Sequence, residues 1–421
     1  MYMGQDRTIG EQKVFRLKGK VQHYAWGGHS FLPALLGLRD PDGKPWAEYW
    51  LGAHENAPSL LLPDTGSADD PSQAMSLDRY IGEDPQGRLG DYAAGRFGRL
   101  PYLLKILDVR DMLSIQVHPS KRDAEKEFAE ESKKGIPLNA PDRNYKDDNH
   151  KPELMVALSD FWLLHGFKPA GELRRILEDT PELRFLSPVF GQGDYQGLYK
   201  RVMEMEPLKV NEALQPLLDR IIPAYEANTL SKDQEDFWAA RAALTFNETG
   251  RIDRGIFSVY LFNLVNLRPG EAIFQDAGLP HAYLEGQNVE IMANSDNVLR
   301  GGLTPKHIDV PELLKHIRFG ETNPRVILAE GGERAISVFA TPAPDFELSR
   351  IQLLKGDGIR IAARSTEIYM VLEGQLSVEE SPGNPFDCHK GEAFLAFDNA
   401  GLGLTAREDT IVYRAAVPMR K

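Results

Sequence analysis

Residues 113–118 read Leu-Ser-Ile-Gln-Val-His and alternate without exception: Leu113, Ile115 and Val117 point one way, Ser114, Gln116 and His118 the other. A period of two is the period of a β-strand, so the three polar side chains share one strand face. A solvated strand face ordinarily carries Lys and Glu, whereas Ser-Gln-His is uncharged. Two segments further on, Lys151-Pro152-Glu153 and Pro280-His281, offer a carboxylate and a second imidazole. Amide oxygen, imidazole nitrogen and carboxylate are the mixed donors that a borderline divalent metal accepts. A lone His or Glu is ordinarily a structural group. Their co-occurrence on strand-like segments bounded by Pro and Gly is what points to a metal. His281, Tyr283 and Glu285 alternate in the same way and are expected on one strand face.

The chain has 421 residues, enough for two or three domains, with 42% hydrophobic residues to build cores. A formal charge of −13 argues against a nucleic-acid or anionic-membrane partner, which requires Lys and Arg to neutralise phosphate. It leaves room for a small anionic substrate in a local basic pocket. Cys388 is the single cysteine, so neither an internal disulfide nor a Cys-rich zinc site is available, as suits a reducing compartment. The polar N-terminal residues lead into no apolar run, and the apolar stretch around Leu103–Leu107 is far too short to span a bilayer, so a cytoplasmic protein is expected. A monomer is the expectation for its oligomeric state.

Residues 14–62 read as short strands and turns, and strand patterns return at 103–109 and 113–117. Lys121–Lys134 lacks Gly and Pro and is dense in Glu, Lys and Ala, which predicts a helix. Helical spacing then governs 170–178, 210–228 and 232–244, with Ser231 or Asp233 as the expected cap of the last. A β pattern resumes at 258–266. The spacing thus predicts a helical insertion of roughly 85 residues between β segments. In the strand-rich final part, Gly391-Glu-Ala-Phe-Leu echoes Gly270-Glu-Ala-Ile-Phe, 121 residues earlier, which suggests two related β-barrels. At that offset His281 falls on Leu402, so the second barrel is expected to carry no metal.

Several longer motifs carry a resemblance. Gln116-Val-His118-Pro119, His150-Lys-Pro-Glu153, Pro280-His281-Ala-Tyr283 and the run from Asn294 through Arg300 to Lys306 are similar to the signature motifs of type I phosphomannose isomerases. Val21-Gln-His-Tyr-Ala-Trp-Gly27 and Ala47-Glu-Tyr-Trp-Leu-Gly52 resemble that family's N-terminal motifs, with His23 a departure where Asp or Asn is common. The motifs follow the family's order over most of the chain. The resemblance implies a mainly β bicupin with a helical insertion. Its segments would be a catalytic cupin domain in two parts, 1–168 and 255–325, a helical domain at 169–254, and a metal-free cupin domain at 326–421. It implies one zinc per chain, held by Gln116, His118, Glu153 and His281, and a catalytic arginine at Arg300. The activity implied is aldose–ketose isomerisation of mannose 6-phosphate and fructose 6-phosphate.

That reaction moves a proton between C2 and C1, and zinc would stabilise the enediolate as a Lewis acid. Arg300, always charged, suits electrostatic stabilisation better than base catalysis. Lys151 precedes Pro152 and is therefore extended, on the same face as Glu153. Beside a divalent cation its amine would give up its proton more readily, which suits proton transfer. His150, Tyr283, Asp296 and Lys306 are further candidates for ring opening or proton transfer. Lys105 and Lys306, with Ser114 as a donor, are the candidates for the phosphate. Two His and one carboxylate also suit a cupin-type non-haem iron oxygenase. A non-catalytic sugar-phosphate-binding regulator is the alternative from another class. Gln116 and the surrounding cations favour zinc and an anionic sugar, and the intact ligand set with Arg300 favours catalysis.

Overall fold

The computed structural model describes residues 12–39, 42–62, 74–331, 335–380 and 385–418. Residues 1–11, part of the sequence that suggested no leader, lie outside them. The chain folds into two compact units, the first with more helix than strand and the second mainly β. One takes Val109–Asn288 and Ser295–Val326; the other takes Met1–Asp108, Val289–Asn294 and Ile327–Lys421. Among the described residues no helix is long and apolar enough to cross a membrane.

In the first unit, antiparallel strands bring distant segments side by side. His281 lies opposite Gln116 on one neighbour and opposite His165 on another. Arg300 lies opposite Gln116, and Gln275 opposite Glu153. Directly opposed residues of an antiparallel pair put their side chains on the same face. The alternating segment 113–118 forms a strand only over Ile115–Val117. The helix Lys121–Lys133 starts where Ser120 Oγ accepts from the Asp123 amide at 3.2 Å, an N-cap that satisfies one orphan donor.

The helical segment packs directly onto these strands. Leu214, Leu217, Leu218 and Ile221 line one stripe of Pro207–Glu226 at three- and four-residue spacing. They share a core with Ile115, Val117, Leu164, Phe262 and Leu284. Two sequence expectations are corrected here. The last long helix begins at Glu235, with Gln234 at the N-cap position but no side-chain cap, because Ser231–Gln234 close a turn instead, with the Ser231 amide donating to Gln234 Oε1 at 3.0 Å. Residues 255–261 form a helix, with a strand only from Phe262 to Leu267. Every residue of that helix is buried, and an apolar run buried on all sides shows neither period.

In the second unit, Val14–Lys18 pairs with Ala393–Ala396, Phe15 lying opposite Leu395. The beginning of the described chain thus shares a sheet with its end, and the units are drawn differently from the four segments read along the sequence. The five-residue echo has a structural counterpart. Gly270 and Gly391 both have left-handed backbone, φ 88° and 86°, which glycine adopts without steric cost. Glu271 Oε2 accepts from the Arg268 amide at 2.8 Å, and Glu392 Oε2 from the His389 amide at the same distance. Strands Ala272–Gln275 and Ala393–Ala396 follow. The two motifs build one kind of turn. Leu402 is buried in the apolar core of the second unit with Leu376, Val378 and Cys388.

Candidate metal centre

The strand registers converge on three buried side chains. Glu153 Oε1 lies 3.4 Å from His118 Nε2, and Oε2 lies 3.2 Å from His281 Nε2. One donor atom from each of the three falls within 4.8 Å of the others. The opposite nitrogen of each ring is fixed by a carbonyl: His118 Nδ1 donates to Asn297 O at 2.8 Å and His281 Nδ1 to Leu279 O at 3.0 Å. With the protons on Nδ1, both Nε2 lone pairs face the carboxylate. This is how metal-ligating histidines are ordinarily oriented.

Burial lowers the His118 pKa to about 4, outweighing the pull of Glu153, so its imidazole is neutral near pH 7. Burial opposes ionisation of Glu153, yet the charge of Lys151 holds its pKa well below the usual carboxylate range. His118 is fully buried, and its Nε2 makes no hydrogen bond. A neutral ring with an orphaned acceptor nitrogen beside an ionised carboxylate and a second ring fits a divalent cation.

The other candidates from the sequence fall around this cluster unevenly. Gln116 is half-buried and flanked in register by His281 and Arg300, which puts its amide on their face. Lys151 is buried, with Nζ 3.0 Å from Glu153 Oε1. Arg300 has its pKa lowered by burial, and no hydrogen bond or ion pair engages its guanidinium among the described residues. Lys306, at the surface, has its pKa lowered by the desolvation it still feels and then by the Arg300 charge. Ser114 is half-buried just before the strand, and Tyr283 is buried against Phe161 at 5.2 Å between ring centroids, 6.5 Å from the His281 ring. The Asp296 amide N–H donates to Asp147 Oδ2 at 2.7 Å. His150 is half-buried. Glu285 departs from the alternation: a bulge between Tyr283 and Glu285 shifts the register, and Lys232 and Arg241 bind its carboxylate.

Lys105 belongs to the other unit. Its ammonium lies 3.1 Å from Glu290 Oε1 and 3.5 Å from Glu48 Oε2, and 5.1 Å from the centre of the Trp50 ring. A phosphate at Lys105 would compete with those two carboxylates, whereas no carboxylate pairs with Lys306 or Arg300 among the described residues.

Groups that the sequence reading passed over complete the surroundings. Gln275, opposite Glu153, is fully buried with neither amide atom hydrogen-bonded. Only the strand pairing brings it there, so no local signal marks it. The loop from Asn144 to Lys151 is anchored by Tyr145, whose hydroxyl lies 2.5 Å from Glu312 Oε1 and 2.6 Å from His316 Nε2. Hydrogen bonds from His316 and Tyr145 lower the Glu312 pKa from 4.5 to about 2. A depressed carboxylate stabilises the fold above its unfolded pKa, and the contribution is lost as pH falls through the folded one. Glu312→Gln is therefore expected to flatten the fall of melting temperature between about pH 4.5 and pH 2. Thermal melts across that window check this; an unchanged slope in the variant would count against the anchor.

Two histidines and a carboxylate at the ends of antiparallel strands, with amide, lysine and arginine around them, are the donor set that a metal-dependent enzyme on a β scaffold would use. The model of the type I phosphomannose isomerase catalytic domain matches residues 14–170. Mannose-6-phosphate isomerase of Escherichia coli K12 is 36% identical over 365 residues, covering 86% of this chain and 90% of that protein. The Homo sapiens mannose-6-phosphate isomerase is 32% identical over 437 residues, covering 96% and 98%. The crystal structure of mannose 6-phosphate isomerase from Salmonella typhimurium bound to its substrate and a zinc atom superposes with a TM-score of 0.85 at 31% identity, covering 97% of this chain and all of that one. This chain belongs to the type I phosphomannose isomerase family.

Proposed function

We propose that this protein is a zinc-dependent aldose–ketose isomerase that interconverts mannose 6-phosphate and fructose 6-phosphate. The observation that carries the reading is the buried His118–Glu153–His281 cluster, with both Nε2 atoms turned to one carboxylate. Its relatives' activity and the zinc and substrate bound by a structural neighbour support the same assignment. In this reading the scaffold is a bicupin, with the helical segment 169–254 inserted in the metal-bearing barrel and a metal-free barrel at 326–421. Gln116 joins the three clustered residues as the fourth ligand.

Bound zinc supplies Lewis-acid stabilisation of the negative charge that develops on the sugar oxygens. The chain's own residues do the rest. Lys151, beside Glu153, acts in its neutral amine form: it takes the proton from C2 and returns it at C1, while the hydroxyl proton of O2 passes to O1 as the carbonyl moves from C1 to C2. Arg300, a largely buried cation with no carboxylate partner among the described residues, faces the charge of the enediolate. Lys306, close enough to feel Arg300, shares the anionic load of the phosphate, with Ser114 as a hydroxyl donor. Tyr283 and Asp296 line the sugar subsite, and His150 assists ring opening.

A coupled assay for fructose 6-phosphate formation, run on zinc-loaded and chelator-treated protein, tests the proposal. Isomerisation that disappears with the metal and returns with added zinc is the expected result. Full turnover after chelation would exclude the metal from the reaction. Oxygen uptake without isomerisation would favour the oxygenase instead.

A further inference from the structure

Asn297 lies in neither the ligand set nor the proposed catalytic set, yet it joins three of the segments that carry them. It is 1% exposed and all of its polar groups are engaged. Its carbonyl oxygen accepts from His118 Nδ1 at 2.8 Å, and its amide N–H donates to Ser295 Oγ at 3.2 Å. Its Oδ1 accepts from the amides of Lys146 and Asp147, at 2.7 and 3.3 Å. Its Nδ2 donates to the carbonyls of Asp147 and Asn149, both at 2.8 Å. The Asp147 carboxylate closes the clamp from the other side. It accepts from Ser295 Oγ at 2.8 Å, the Asp296 amide at 2.7 Å, the Asn149 amide at 2.9 Å and, more distantly, Asn297 Nδ2 at 3.3 Å.

We infer that Asn297 is a positioning residue for the metal centre: clamped by Asp147, it fixes the His118 ring and sets the Lys151 and Arg300 segments against each other. The inference rests on the zinc reading above and deepens it. Three physical points carry it. First, the carbonyl that receives His118 Nδ1 belongs to the residue whose own side chain is pinned, so the pinning fixes the ring and directs Nε2 at the metal position. Second, the loop held by the Asn297 amide leads within two residues of Asn149 to Lys151, and within four to Glu153. Arg300 follows Asn297 by three. Third, a side chain that accepts two amides while donating to two carbonyls must be a carboxamide. Aspartate would set a second negative charge against Asp147 and two carbonyl oxygens, and an apolar residue would take the side-chain partner from the Lys146 and Asp147 amides and the Asp147 carbonyl.

Asn297→Ala and Asp147→Asn in the full-length chain, stripped of metal and titrated with zinc against a competing chelator, test the inference. Zinc affinity is expected to fall about 10- to 100-fold in Asn297→Ala, in the range for residues that orient metal ligands, and less in Asp147→Asn. Leu217→Ala, a cavity in the same unit's core, is the control. It should lower the melting temperature and leave zinc affinity within about twofold of the parent. At saturating zinc, kcat of Asn297→Ala should fall while KM stays within about twofold. In 15N-edited spectra of the metal-free protein, His118 should lose its single Nδ1–H tautomer in that variant and keep it in the control. Should Asn297→Ala not fold, Asp147→Asn carries the affinity test alone. Parental affinity in both variants, or equal loss in the Leu217→Ala control, would overturn the inference. Parental protein that takes up no zinc would instead overturn the metal reading, and the inference would fall with it.

Discussion

His281→Ala is expected to lose most of its zinc and nearly all isomerase activity while remaining folded. His281 supplies one of the three clustered donors, and its ring is held by the carbonyl of Leu279. The strand it begins pairs through its backbone with the segments of Gln116 and His165, and those ladder bonds do not depend on the side chain. The unit's apolar core runs from Ile115 and Leu164 through Leu217 to Trp238 without using the ring. A Lewis acid contributes several kcal/mol of charge stabilisation, so a drop on the order of 10³ or more in kcat/KM is expected at limiting zinc. The metal-free variant should melt close to the metal-free parent. Elemental analysis of the purified proteins is decisive: one zinc per parental chain and little in the variant supports the assignment, whereas one full zinc in His281→Ala refutes it.

What the sequence made legible was chemistry that is local. The alternation around Ile115–Val117, the proline before Glu153 and the proline before His281 each mark a short extended segment, and each candidate ligand can be named from its own motif. The candidates' convergence is non-local, and only the registers of His281 against Gln116 and of Gln275 against Glu153 display it. The same reason hides the pairing of Val14–Lys18 with Ala393–Ala396, since strand partners hundreds of residues apart leave no trace in a window. The helix Gly255–Leu261 was hidden otherwise: buried on every side, it shows neither the helical nor the strand period. Asn297 and Asp147 stood within or beside quoted motifs, but a polar residue in a loop reads as a turn former until its partners are known. Lys105 was read as a candidate for the phosphate, and its two carboxylate partners, Glu48 and Glu290, come from distant segments.

Arg300→Ala is expected to lower kcat by about 10²–10³ while zinc content stays at the parental level, the loss typical of one removed charge-stabilising group. The structural basis is the strand Leu299–Gly302. Arg300 lies opposite Gln116, which lies opposite His281, so the three side chains share the face that carries the metal cluster. Burial lowers the guanidinium's pKa, and among the described residues no carboxylate neutralises it. A desolvated, unpaired cation destabilises the resting protein and gains most when negative charge forms beside it, which is the condition for selective stabilisation of a transition state. The strand is held close to the helix Gly255–Leu261: a Cβ on Gly302 would meet the Gly255 Cα at 2.4 Å, so Arg300 is placed by rigid packing and not by a mobile loop. Arg300→Lys should recover little, because a compact ammonium does not reproduce the planar fork. Steady-state kinetics separate this role from simple phosphate binding. A fall in kcat with KM nearly constant places the charge on the transition state, whereas a rise in KM with kcat intact moves Arg300 to the phosphate subsite beside Lys306.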